Sequence, residues 1–321
     1  MGPKVSIITA NHNKAVFFGE SINSVLEQTY KNWEMIFIDD CSTDGSLELV
    51  KTQFKDERIK SSSTEKRSGA NVCRNMGIKM STGEYVIFLD ADDILVNTCI
   101  EGRVKEMQKD PSLDMCVFAM GVFDKVIGDA KHIWRPTSKQ PLIDFLQHDL
   151  PWSILQPIWK KKVLVEAGGF DENFGRLQDV EIHTRILFEK NIKFKQFPQI
   201  VDCHYRVGDD RRSANTFDYN MPRVIGSLGY YSKFYAQAKA NNIGGKLLGT
   251  IYQTYLQCIY HTRYGKMTKQ QFLELEKKLI DRNILKLNGI KNAALKFSRF
   301  YNFNMPKVPG INHVLNKIIT N

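Results

Sequence analysis

Tyr85-Val86-Ile87-Phe88-Leu89-Asp90-Ala91-Asp92-Asp93 decides the fold. The unbroken apolar run Tyr85 to Leu89 reads as a strand buried on both faces, which belongs to a parallel sheet. Three carboxylates stand directly behind it. Open α/β sheets take their ligands at the carboxyl ends of the strands, so these side chains would edge a crevice. Carboxylates this close repel one another. A divalent ion holding a diphosphate relieves the repulsion, because hard cations accept carboxylate and phosphate oxygens together. The same spacing also suits a solvated acidic turn capping the next helix, and spacing alone leaves both open.

Upstream, the chain alternates between two patterns. Val5–Thr9 and Trp33–Ile38 are further apolar strands, and Ile59–Ser62 is a short third one. Between them Phe17–Gln28, with Phe17, Phe18, Ile22, Val25 and Leu26, has helical spacing, as do Leu47–Phe54 and Gly69–Met80. Ala10-Asn11-His12-Asn13 and Ser42-Thr43-Asp44-Gly45-Ser46 carry turn and cap chemistry. Strand, helix, strand, helix, strand is a parallel sheet with right-handed crossovers. Downstream, helices are expected over Asn97–Lys109, Lys160–Ala167 and Asp179–Glu189. Strands are expected at Asp114–Val122, Phe194–Phe197 and Ile200–Arg206, and residues 125–150 read as loop with a short helix. From about residue 215 the pattern is helical to the end. In that tail Leu247, Leu248, Ile251, Tyr252, Tyr255, Leu256 and Ile259 form one apolar stripe, and Phe272, Leu275, Leu279 and Ile280 a second.

The chain has 321 residues, enough for one large or two ordinary domains. No apolar run is long enough to span a bilayer. Met1-Gly2-Pro3-Lys4 enters the first strand with no apolar leader, and the six cysteines are scattered, so a cytoplasmic chain with reduced thiols is expected. The net charge of +10 is uneven: residues 215–321 hold 16 Lys and Arg against 4 Asp and Glu, leaving 29 against 31 in residues 1–214. That step predicts two regions, 1–214 and 215–321. The basic one is read as docking on an anionic membrane surface or as a homodimer interface.

Five segments then fall in a telling order: Val5–Thr9 with Asn13, Ser21–Tyr30, Ile38–Ser46, Arg74-Asn75-Met76-Gly77, and Leu89–Asp93. Together they resemble the family 2 glycosyltransferases with the GT-A fold. Gly168-Gly169-Phe170-Asp171-Glu172 and Gln178-Asp179-Val180-Glu181 are similar to that family's acceptor-side motif, with Gln178 where the family usually has Glu. The resemblance covers residues 4–210. It implies a Rossmann-like, mainly parallel mixed sheet flanked by helices, followed here by a helical extension. It implies inverting transfer from a nucleotide diphosphate sugar, UDP-linked by preference, to a glycan or lipid-linked acceptor, with Mn2+ or Mg2+.

Residue by residue, the resemblance gives Asp40 the nucleotide base; an ionised carboxylate only accepts, which suits the ring N–H of uracil. Asp39 or Asp40 would otherwise cap the turn that follows. Thr9, Ala10, Asn11, Arg74 and Ala91 would contact the nucleotide sugar, with Thr9 open to a capping role. Asp92 would hold the metal and Asp90 the ribose or the metal. His204 is a third metal ligand or a structural histidine, and Arg206 would meet the diphosphate. Asp179 would take the acceptor proton, with Glu181 as rival base and helix capping as the plain alternative. Trp152, Trp159 and Phe170 suit core packing or sugar stacking. A lid is expected at residues 208–213.

Other classes fit less well. A dehydrogenase needs Gly-x-Gly-x-x-Gly after a strand, which is missing. A nucleotidyltransferase would show a Gly-rich basic loop near residue 10. The acidic crevice argues against nucleic acid.

Overall fold

The computed structural model describes residues 2–189, 191–207, 217–265, 267–281 and 289–320. The chain divides into two compact units, Met1–Leu142 with Leu150–Asp209, and Ile143–Asp149 with Asp210–Asn321.

In the first unit β1 (Val5–Asn11), β2 (Trp33–Asp39), β3 (Ile59–Ser63) and β4 (Tyr85–Phe88) alternate with α1 (Phe18–Leu26), α2 (Ser46–Gln53) and α3 (Ala70–Met80). The four strands are parallel in the order β3-β2-β1-β4. β2 and β4 are buried along their whole length, as unbroken apolar runs require. Phe37 and Ile87 are fully covered, each contributing roughly 1.5–3 kcal/mol by leaving water. α1 covers one face with Phe18, Ile22 and Val25. α3 covers the other so closely that a Cβ on Gly77 would come within 2.3 Å of Ile8 Cγ2, so only glycine fits there. The chain runs β1, β2, β3 to one side and then places β4 on the other side of β1. That reversal opens a crevice at the carboxyl ends of β1 and β4.

The sheet continues through antiparallel pairings. Next come β5 (Ile94–Leu95), α4 (Cys99–Lys109), β6 (Met115–Phe123), β7 (Ile133–Trp134), α5 (Pro141–Leu146), β8 (Pro157–Lys160), α6 (Lys161–Glu166), α7 (Gln178–Glu189) and β9 (Phe194–Arg206). β8 joins β4 to β6, β9 runs parallel to β6, and β5 closes the edge on β9. The two late strands expected of the sequence are one strand, and the register shifts opposite Phe118–Met120 accommodate the break at Pro198. A buried ion pair locks this half: Arg103 on α4 gives Nε and Nη2 to Asp202 at 2.8 and 2.7 Å and Nη1 to Leu155 O at 3.0 Å.

The second unit is helical: α8 (Phe217–Ala240), α9 (Gly244–Arg263), α10 (Lys269–Asp281), α11 (Ile290–Asn304) and α12 (Ile311–Thr320). Residues 143–149, which the charge step placed in the first region, belong to this unit. Their anchor is His148, stacked on Tyr231 at 5.5 Å and set against the edge of Tyr230 at 5.2 Å. The expected boundary at 214/215 and the expected lid at 208–213 lie outside the described residues. So do the side chains of Leu248, Ile251, Tyr252, Leu275, Leu279 and Ile280 in the two expected stripes.

Candidate active site

The crevice is built from three strand ends. β1 runs two residues past its expected end at Thr9, into the expected turn, because Asn11 pairs with Asp39 on β2. Asn11 Nδ2 donates to Asp39 Oδ1 at 2.7 Å and to Ser42 Oγ at 3.2 Å. Asp39 also accepts from Ser42 N at 2.8 Å and Ser42 Oγ at 2.6 Å. Asp39 is therefore the residue that closes the turn. Asp40 points instead at the loop before α3, accepting from Ser68 N at 2.7 Å, Gly69 N at 2.9 Å and Thr64 Oγ1 at 3.1 Å. A carboxylate has about four acceptor positions, and the Cys73 thiol on α3, a weak donor, reaches Asp40 as well. Thr9 Oγ1 and Asn11 Oδ1 are buried and have no hydrogen-bond partner among the described residues, a costly state in a closed core. Ala10 lies between them, half-buried.

Behind β4 the chain turns through Asp93 N to Asp90 O at 3.0 Å, with Ala91 buried inside the turn. The three acids take different partners. Asp90 accepts from Arg74 Nη2 at 2.8 Å and keeps 36% of its side chain exposed. Asp92 accepts from Lys14 Nζ at 2.7 Å. No hydrogen bond reaches Asp90 Oδ2 or Asp92 Oδ1 among the described residues. Asp93 is buried and accepts from Arg206 N at 2.9 Å. Burial first, then the charges of Asp90 and Asp92, push its carboxyl well above the ordinary carboxylate range.

Arg206 is buried with its donors engaged: Nε to Asp92 O at 3.1 Å, Nη2 to Glu20 Oε2 at 2.6 Å and Nη1 to Lys125 O at 3.4 Å. Its guanidinium also lies over Phe123 at 4.4 Å and Phe17 at 4.9 Å. It braces the acidic turn from behind. His204, two residues earlier on β9, is half-buried, meets the Phe123 ring edge-on at 6.4 Å, and is held below its ordinary pKa by burial. Among the described residues no three His, Cys, Asp or Glu side chains gather as one metal-binding group, so His204 is not brought together with Asp90 and Asp92.

Arg74 links the turn after β4 to the start of α7. Its Nη1 donates to Gln178 Oε1 at 2.9 Å, at the start of α7, and its guanidinium lies over the Phe170 ring at 5.4 Å. Gln178 thus has a partner that a carboxylate could equally fill. Asp179 follows, half-buried, with Oδ1 accepting its neighbour's Val180 N at 3.0 Å. Burial pushes the Asp179 carboxyl up, against the pull of Arg74. The rival, Glu181, is buried and held bidentately by Arg185 at 2.7 and 3.0 Å. Arg185 also reaches Gly169 O at 2.6 Å, so this pair clamps the Gly168–Gly169 turn. Asn75 grips the same turn through Phe170 N and O at 2.8 and 2.9 Å. A Cβ on Gly169 would come within 2.4 Å of Asn75 Oδ1, and its φ of +70° is also one that glycine favours. Asn71 Nδ2 holds Asp171 O at 2.7 Å and Phe174 O at 3.0 Å. Trp152, Trp159 and Phe170 are buried, which settles them as core: the two tryptophans pack on His183, and Phe170 meets Phe88 edge-on at 5.2 Å.

Lys14, Glu20 and Asn71 stand outside the residues singled out in the sequence, and Asn75 enters there only within the segment Arg74-Asn75-Met76-Gly77. Only the position of Lys14, just past the end of β1, hinted at the crevice.

The sequence model of the family described as "Glycosyl transferase family 2" matches residues 6–170. A putative teichuronic acid biosynthesis glycosyltransferase TuaG of Bacillus subtilis (strain 168) is 45% identical over 108 residues, 33% of this chain and 43% of its own length. The UDP-Glc:alpha-D-GlcNAc-diphosphoundecaprenol beta-1,3-glucosyltransferase WfgD of Escherichia coli is 40% identical over 105 residues, 33% of this chain and 41% of its own length. The matched part thus spans about two fifths of these relatives. Among solved structures, S. aureus TarS 1–349 in complex with UDP-GlcNAc superposes with a TM-score of 0.67 at 16% identity, covering 98% of this chain and 90% of that one. The mannosyltransferase PcManGT of Pyrobaculum calidifontis, in complex with GDP-Man and Mn2+, gives 0.55 at 17% identity, covering 99% and 85%. At these identities the two structures speak for the GT-A-like fold.

Proposed function

The chain belongs to glycosyl transferase family 2, and from that premise we propose that it transfers a hexosyl or N-acetylhexosaminyl group from a UDP-sugar. The acceptor is a hydroxyl of a glycan or lipid-linked molecule in surface polysaccharide or glycoconjugate synthesis, reached from the cytoplasmic side. One observation carries this reading. Asp40, Asp90 and Asp92 stand at the carboxyl ends of β2 and β4, and Arg74 runs from Asp90 to Gln178, beside Asp179. The names of relatives support it, since WfgD is described as acting with UDP-Glc on a diphosphoundecaprenol-linked sugar and TarS binds UDP-GlcNAc.

Inverting transfer is a single displacement. The acceptor oxygen bonds to the anomeric carbon, the bond from that carbon to the diphosphate oxygen breaks, and the acceptor proton passes to a base. Asp179 is that base. Its raised carboxyl makes it a stronger proton acceptor than an exposed aspartate, and Glu181 is committed to Arg185. Asp40 takes the ring N–H of the base in place of the weak Cys73 thiol donor. The oxygens of Thr9 and Asn11, unmatched among the described residues, fit a donor-bearing nucleotide beside Ala10. Ala91, buried inside the turn, offers the donor its backbone alone, and Arg206 holds that turn in place through Asp92 O and Asp93.

The residues present fit a divalent ion. Asp90 Oδ2 and Asp92 Oδ1 accept no hydrogen bond among the described residues, and the Lys14 ammonium already stands on Asp92 as a cation would. One or two carboxylates with phosphate oxygens are an ordinary magnesium or manganese set. When bound there, Mn2+ or Mg2+ would supply positive charge to the departing diphosphate.

A screen of nucleotide sugars for release of nucleoside diphosphate tests the proposal. The expected result is release with one donor that needs the metal and rises with the right acceptor. Binding without release would mark a non-catalytic nucleotide-sugar binder, and formation of nucleoside triphosphate and sugar 1-phosphate on adding pyrophosphate would mark a nucleotidyltransferase.

A further inference from the structure

The second unit contains a helix–turn–helix whose outer side is unlike its inner side. Over residues 289–320 it carries five Lys or Arg (Lys291, Lys296, Arg299, Lys307, Lys317) and no Asp or Glu. Its inner side is an ordinary core: Leu295, Tyr301, Leu315 and Ile319 are buried, and Asn302 joins α11 to α12 through Asn312 at 3.0 Å. Its outer side is apolar as well. On α11 Phe297 and Phe300 are 48% and 56% exposed. In the turn Met305 and Val308 are exposed, and on α12 so are Val314 and Ile318. A helix apolar on two sides is normally buried on both. Lys296, Lys307 and Lys317 are exposed beside these residues, whereas Arg299 is paired with Glu276 at 2.6 Å.

We propose that this side of α11 and α12 docks on an anionic phospholipid surface. The phenylalanines and aliphatic side chains enter the boundary between head groups and acyl chains, and the lysines meet lipid phosphate. Charge selects this occupant. A two-fold contact with a second copy would bring the same acid-free basic surface against itself. A nucleic acid would be served by stacking aromatics, and four of the six apolar side chains here are aliphatic or thioether, which offer no stacking face. The segment lies on the bilayer, since no described helix is long and apolar enough to cross it. The inference goes beyond the transferase reading and uses none of its chemistry, so either can fail without the other.

Co-sedimentation of the full chain with vesicles tests it. Vesicles of pure phosphatidylcholine are compared with an equal mixture of phosphatidylcholine and phosphatidylglycerol, at about 0.1 M and about 1 M salt, where the screening length falls from about 10 Å to about 3 Å. Binding is expected on the mixed vesicles at low salt and largely lost at high salt. Replacing Lys296, Lys307 and Lys317 by Gln should weaken it by about fivefold per lysine. The double variant Phe297→Ser, Phe300→Ser should lose it, and Phe300→Ser alone, which leaves Phe297 stacked on Tyr301 at 6.3 Å, should weaken it while keeping the wild-type thermal transition. Equal binding to neutral vesicles, undiminished binding by the lysine and phenylalanine variants, or a dimer in sedimentation velocity that the double phenylalanine variant dissolves would overturn the inference.

Discussion

Replacing Lys14 by glutamine should tighten the binding of Mn2+ to the nucleotide-free protein. Lys14 Nζ sits 2.7 Å from Asp92 Oδ2, on one of the carboxylates assigned to the metal, so an incoming ion must displace it. The two side chains are 34% and 18% exposed, which places the pair near the surface class worth about 0.2–1 kcal/mol rather than the buried class. Removing that competitor should raise metal affinity by about 1.4-fold to fivefold, at 1.4 kcal/mol per factor of ten. With UDP present the gain should shrink or reverse. The ammonium released from Asp92 then faces the diphosphate, where a lysine is a point charge suited to phosphate. Calorimetric titration of Mn2+ into wild type and Lys14→Gln, each with and without UDP, reads both effects. Unchanged or weaker Mn2+ binding by the nucleotide-free variant would refute the reasoning. Failure of the wild type to bind Mn2+ in the presence of UDP would refute the metal assignment itself.

Asp179→Asn should lower turnover by about 10²- to 10⁴-fold and leave UDP binding unchanged. Because burial raises the Asp179 carboxyl, the acidic limb of the wild-type pH–rate profile should lie above the ordinary value of 3.8. Near-normal turnover of the variant would exclude Asp179 as the base. His183, stacked on Trp159 at 5.6 Å, is lowered from 6.5 to about 3 by burial, so the folded protein keeps it neutral while the unfolded chain charges it. Its contribution to stability is complete above pH 6.5 and is lost as pH falls towards about 3, at up to about 1.4 kcal/mol per unit. Urea unfolding across that range should show the slope in wild type and less of it in His183→Phe. Arg103→Met leaves the Asp202 carboxylate buried without its bidentate partner and should cost about 3–5 kcal/mol in the same assay; a cost below about 1 kcal/mol would contradict the pair's structural role.

The parallel half of the sheet was legible because β1, β2 and β4 are covered on both faces, which writes an unbroken apolar run into each. β5 and β7 are two residues long and set up no periodicity to read. β9 looked like two strands because Pro198 interrupts it, and only the register against β6 shows it to be one. The membership of residues 143–149 in the second unit rests on ring packing around His148, which local sequence does not encode. In the candidate site, Asp40, Asp90, Asp92 and Asp179 could be picked out because each stands in a motif at the end or start of an element, and Arg74 because it stands in a motif within α3. Their partners could not. Lys14 and Asp92 are 78 residues apart, Arg74 and Gln178 104, and Asn71 and Phe174 103. The division of labour between Asp39 and Asp40 likewise follows from which loop each side chain faces, and adjacency in sequence says nothing of that.

The central claim is that Asp90 and Asp92 bind the donor's diphosphate through a divalent cation. Calorimetric titration of UDP into the protein in Mn2+ and in EDTA, for wild type and Asp92→Ala, tests it most directly. The account predicts wild-type affinity at least about tenfold higher in Mn2+, a difference of about 1.4 kcal/mol, and no such gain in the variant. Equal UDP affinity in Mn2+ and in EDTA for the wild type would contradict it.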